Sequence, residues 1–150
     1  MKFQIDVISD AQETRSVSRE RVGALLRDRG VYPSEAFPHW FICEFPPGPM
    51  YDIFLHPSRT EEVTCISFFM LASEENVRHA CGLAAAVAVA LGWRVRDLQE
   101  GRQRWALEAG ESALEELVPE EAVRRLAVLW QQGAYPGSER VASTPRLRRY

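Results

Sequence analysis

Apolar and polar positions change period several times along the chain, and each change marks an element. Phe3-Gln-Ile-Asp-Val7 alternates, which is the period of a half-buried strand. Residues 9–14 are polar and read as a loop. From Ser18 the period lengthens. Val22, Leu25 and Leu26 make a helical stripe, Ser18 suits the N-cap, Glu20 the first turn and Arg27 and Arg29 the last, and Gly30 is the stop. Residues 39–45 are dense in aromatic and β-branched side chains, Pro46-Pro-Gly-Pro49 is a turn, and residues 50–55 return as a short strand. After the polar turn at 58–62, residues 63–72 form a long strand with Ile66, Phe68 and Met70 on one face and Val63, Cys65, Phe69 and Leu71 on the other. Apolar side chains on both faces predict a central strand, and the short connections predict an antiparallel meander.

The next segment is the most specific. Glu74-Glu-Asn-Val-Arg-His79 opens a helix, Cys81-Gly-Leu-Ala-Ala-Ala-Val-Ala-Val-Ala-Leu91 continues it and Gly92 closes it. The helix is apolar nearly all round, so it needs a sheet on one side and a second cover on the other. Residues 93–98 follow as a strand. Residues 99–102 have turn chemistry, and 103–107 form a candidate hairpin partner. Ser112 caps a short helical turn, and Pro119 opens a last helix whose stripe is Val123, Leu126, Ala127 and Trp130 and whose stop is Gly133. The predicted architecture is α+β: an antiparallel sheet of about five strands, order β-α-β-β-β-α-β(-β)-α, with helices mainly on one face. Residues 1–133 make one domain. Residues 134–150 lack periodicity and read as an irregular tail, either disordered or draped over the body.

The 150 residues are enough for one self-sufficient core. A net charge of −3 opposes general nucleic-acid binding, and the few arginines of the tail do not reverse that. The cysteines Cys43, Cys65 and Cys81 are odd in number and lie in apolar surroundings, as in a reducing compartment. The first ten residues hold two acids and no apolar run of signal-peptide type, and the stretch 83–91 is too short to span a bilayer. The expected location is cytoplasmic.

No motif carries obvious chemistry. His39 and Cys43 share a strand face but lack the paired partners of a zinc site, so no metal and no cofactor is expected. Cys81 lies among alanines, where burial would raise its pKa and disfavour a nucleophile. No nucleophile elbow and no glycine-rich phosphate loop is present. Surface candidates are more informative. Exposed tryptophan and arginine are enriched at protein interfaces, which points to Trp105, Arg94, Arg96 and Arg102. Acidic loops suited to a cationic cleft are those at Asp52, at Glu61 and Glu62, and from Asp97 to Glu100.

The run Leu91-Gly-Trp-Arg-Val-Arg-Asp-Leu-Gln-Glu-Gly101, entered from an alanine-rich helix, resembles small α+β immunity proteins of bacterial polymorphic-toxin and type VI secretion systems. The resemblance covers residues 74–101. It implies a non-enzymatic cytoplasmic protein that binds a cognate toxin or effector and occludes its active site. Two other readings stay open: a small enzyme with a site dispersed over His39, Glu44, Asp52 and His56, and an effector chaperone or adaptor.

Overall fold

The computed structural model describes residues 2–10, 12–35, 37–44, 48–71, 73–97 and 114–131. Strand β1 (Lys2–Ile8) leads through a polar loop to a two-residue strand β2 (Val17–Ser18) and helix α1 (Arg19–Arg27). Strands β3 (Tyr32–Pro33), β4 (Trp40–Glu44), β5 (Met50–His56), β6 (Glu62–Val63) and β7 (Cys65–Leu71) come next. Helix α2 (Glu74–Leu91), strand β8 (Arg94–Asp97), a 3-10 turn (Leu114–Glu116) and helix α3 (Pro119–Gln131) complete the described elements.

The α+β class holds. Six strands make one sheet in the order β3-β4-β5-β7-β1-β8, and every pairing is antiparallel. The expected meander is β4-β5-β7, and β7 is central, flanked by β5 and β1. The sheet has one strand more than expected because β3 is a two-residue edge pairing, Tyr32 to Ile42 and Pro33 to Phe41, too short to show a period. The long strand expected over 63–72 is interrupted at Thr64. Val63 turns away to pair with Val17 in a separate two-stranded ladder. The candidate hairpin strand at 103–107 and the tail lie outside the described residues.

Local chemistry explains the helix ends. Ser73 caps α2 by accepting from the Asn76 amide at 3.1 Å, and Gly92 ends it in the left-handed conformation at φ 70°. Ser18 caps α1 in the same way, accepting from the Arg21 amide at 3.2 Å.

The core lies between the sheet and α2. Ile5 and Val7 of β1, Ile53 and Leu55 of β5, and Ile66 and Phe68 of β7 point to one face and are buried. Val77, Ala80, Ala84, Val87 and Ala88 of α2 meet them. The alanines leave little bulk between the helix and the strands, so the backbones approach closely. The second cover that an all-apolar helix requires is supplied by α3, with α1 touching its flank. Trp93 is buried where α2 turns into β8, as a core anchor.

Candidate functional site on the open face of the sheet

With the helices on one side, the other side of the sheet has two unlike halves. Register fixes what stands in each row. One row runs Tyr32, Ile42, Asp52, Phe69 and Gln4 across β3, β4, β5, β7 and β1. The next runs Trp40, Phe54, Ser67, Asp6 and Arg96 across β4, β5, β7, β1 and β8.

The half over β1 and β8 is polar and closed. Asp6 is 2% exposed and receives the Arg96 guanidinium at 3.2 Å and the Gln4 amide at 3.2 Å. Arg96 also meets Glu13 at 3.5 Å. Glu13 belongs to the loop after β1 and has φ 55°, an uncommon left-handed backbone for a residue with a side chain. That loop is tied by Asp10, whose carboxylate accepts from the amides of Gln12 and Thr14, each at 3.0 Å. These bonds, led by one from the Thr14 hydroxyl, hold the Asp10 carboxyl below its usual range. Burial works against the Arg96 charge, but the bond to Asp6 and the charges of Asp6 and Glu13 outweigh it and raise its pKa. Burial, reinforced by the Asp6 charge, pushes the Cys65 thiol up.

The half over β3, β4, β5 and the end of β7 is aromatic and open. Four rings make a continuous chain. Phe37 lies 6.0 Å from Trp40, Trp40 stacks on Phe54 at 5.9 Å and 11°, and Phe54 meets Phe69 edge-on at 5.6 Å. Tyr32, Ile42, Met50 and Leu71 surround them, with Met50 at 60% and Leu71 at 66% exposure. A hollow of about 350 Å³ lies between Ile42, Met50, Asp52, Phe69 and Leu71. Asp52 stands within this apolar field, and its Oδ1 accepts from Trp40 Nε1 at 2.9 Å.

The sequence candidates are placed unevenly. Asp52 belongs to the open face, although it sits in the middle of β5 and not in a loop. Glu61 and Glu62 lie at the other end of β5, where Glu61 meets Arg19 at 3.4 Å and Glu62 pairs with Ser18 in the small ladder. Arg96 is engaged in the buried ion pair. Arg94 donates to the Leu117 carbonyl at 2.9 Å and ties β8 to the segment before α3. Asp97 ends β8 opposite Ile5. Glu100, Arg102 and Trp105 lie outside the described residues. The side chains of the open face not singled out from the sequence are Phe37, Ile42, Met50, Phe54, Phe69 and Leu71. The available signal was the apolar alternation on both faces of strands near the sheet edge.

The dispersed group of His39, Glu44, Asp52 and His56 is spread along the β4–β5 pair. Asp52 and His56 are four residues apart on one strand, a separation of about 13 Å. A closer titratable group lies on the helix side. Tyr51 Oη is 2.7 Å from His79 Nδ1, and Cys43 Sγ is 3.9 Å from the same nitrogen. Burial raises the pKa of Cys43 and of Tyr51 and lowers that of His79, so all three favour their neutral forms. A neutral buried thiol is a poor nucleophile.

Among the described residues, no helix is long and apolar enough to cross a membrane, and no group of three or more histidine, cysteine or acidic residues is arranged to hold a metal ion. No protein-family model and no curated protein matches the chain.

Proposed function

We propose that this protein is an inhibitor of the immunity type, which docks a cognate toxin domain on the aromatic half of its sheet and occludes the toxin's active site. The observation that carries the reading is the open four-ring chain Phe37-Trp40-Phe54-Phe69, rimmed by exposed Tyr32, Met50 and Leu71. Aromatic and methionine side chains are the types enriched at protein interfaces, and tryptophan and tyrosine dominate their energetics. A sheet braced from behind by α2 is a stiff platform, which keeps the ordering cost of association low. Asp52, with Glu44 on the same face of β4, gives the patch an acidic character suited to a cationic cleft.

The test is co-purification from the native host, followed by titration of the isolated partner. A toxin domain encoded beside this chain, bound in a stable one-to-one complex that Trp40→Ala weakens, is the expected result. A partner whose binding is indifferent to Trp40, Ile42 and Met50 would remove the patch from the argument.

The strongly apolar hollow between Ile42, Met50 and Leu71 also favours a second reading, an effector chaperone. A chaperone binds an unfolded or extended segment of its client, whereas an occluding inhibitor binds the folded catalytic domain. Binding to the client before and after denaturation separates them.

A further inference from the structure

A second surface lies on the opposite side of the molecule, independent of the docking face. Two hollows flank α2. One of about 240 Å³ runs between α2 and α3, and its floor is Val77, Cys81, Val123 and Ala127. The other, of about 320 Å³, lies toward the end of α1 between Arg29, His79, Leu83 and Ala86. Arg78 and Gly82 line both, so the hollows meet across α2.

Gly82 is the unexpected residue. It stands in the interior of an alanine-rich helix, where glycine is disfavoured relative to alanine. A Cβ built there meets nothing within 4 Å, so no contact inside the protein demands its absence. What the missing side chain does provide is a low saddle joining the two hollows.

The groove is also electrically polarised. Arg29, just beyond α1, lies at one end and has no carboxylate within ion-pairing distance among the described residues; its Nη1 makes only a 3.4 Å bond to the Leu25 carbonyl. His79 stands beside it, its ring held through Nδ1 by Tyr51. The other end is rimmed by Glu74, which pairs with Arg78, and by Glu120 and Arg124, the latter paired with Glu121, so its charges balance. An anionic group is thus favoured at the Arg29 end and gains nothing at the balanced end, with apolar walls between.

We infer that this groove binds a single-chain amphiphile with a carboxylate head, the head at Arg29 and the chain crossing Gly82 to lie between α2 and α3. Decanoate is the probe. Calorimetric titration of the full chain below the micellar range gives saturable binding. Decanol, which lacks the charge, binds about tenfold more weakly, the size of one lost ion pair. Arg29→Ala lowers decanoate affinity to the decanol level and leaves decanol unchanged. Gly82→Leu fills the saddle and abolishes uptake of both, with circular dichroism reporting a retained fold. Arg29→Ala changes only a surface group and keeps the test sharp if Gly82→Leu folds poorly. Absence of saturable decanoate binding, equal affinity for decanol, or co-sedimentation with phosphatidylglycerol vesicles without uptake of monomeric decanoate would each overturn the inference.

Discussion

The indole of Trp40 and the carboxylate of Asp52 are joined across β4 and β5 by a 2.9 Å hydrogen bond, on the face of the sheet that none of the described helices covers. The pair fixes an aromatic ring and an anion in one rigid arrangement. Trp40 stacks on Phe54, so the ring is held from two sides. If the patch is the docking surface, the two residues have separable roles. Trp40→Ala removes the anchor and weakens the partner complex by about 2 kcal/mol or more. Asp52→Asn keeps an acceptor for the indole but removes the charge, so its effect falls on the association rate and its salt dependence. Stopped-flow binding at low and high salt reads both. Equal loss from both substitutions, with no change in salt dependence, would contradict the division of roles.

Asp6 and Arg96 make the corresponding pair on the closed half, and here stability is at stake. Asp6 is almost wholly buried, and the Arg96 side chain is 18% exposed. Asp6→Ala leaves a largely buried guanidinium, whose Nε already has no partner, with Glu13 at 3.5 Å as its remaining counter-charge, and is expected to cost about 3 kcal/mol. The double replacement Asp6→Leu with Arg96→Met removes both charges and is expected to cost far less than the single change. Urea denaturation of the three variants gives the comparison. A double variant as unstable as Asp6→Ala would mean that the pair has no such coupling.

The contrast between these pairs shows what the sequence could and could not convey. Helix α2, its stop at Gly92 and the central place of β7 were legible, because each rests on a local period or a local stop signal; the Ser73 cap came only with the structure. Asp52 was legible as an acidic candidate, but its partner Trp40 stands twelve residues away in the aromatic run at 39–45, and no local pattern ties the two together. Arg96 was legible as an interface candidate. Its engagement by Asp6 depends on β1 entering the sheet between β7 and β8, a pairing 90 residues apart in sequence. A one-dimensional pattern marks which strands have two apolar faces. It does not say which face the helices take, and that choice separates the core from the open face.

The two glycines of α2 should respond in opposite directions. Gly82 is helical and unobstructed, so Gly82→Ala is expected to stabilise the protein by up to about 1 kcal/mol through helix propensity and a less entropic unfolded chain. Gly92 has φ 70°, which costs a residue with a Cβ, and Gly92→Ala is expected to destabilise by about 1 kcal/mol. Thermal melts of both single variants check the pair. A destabilising Gly82→Ala would mean that the saddle over α2 is already filled.

His79 makes a pH-dependent contribution whose sign is fixed by its burial. Desolvation lowers its pKa in the fold below the ordinary 6.5, while the unfolded chain keeps the ordinary value. Between the two values the unfolded chain binds a proton that the fold refuses. Stability therefore falls as pH drops below about 6.5 and levels off once pH passes the folded value. The described groups around the imidazole include Tyr51 and Cys43 from the sheet and Arg29 and Arg78 at the neighbouring hollow. None of these supplies a proton-linked change in the same window, because burial raises the Tyr51 and Cys43 pKa values and arginine stays charged. His79→Gln removes the titration together with the Tyr51 bond. It is expected to cost a constant amount at neutral and alkaline pH and progressively less as the solution is acidified. Urea denaturation of wild type and variant at about pH 8 and about pH 5 measures the gap between them. A gap that is the same at both values, or wider at the acidic one, would show that the imidazole is not held neutral by the fold.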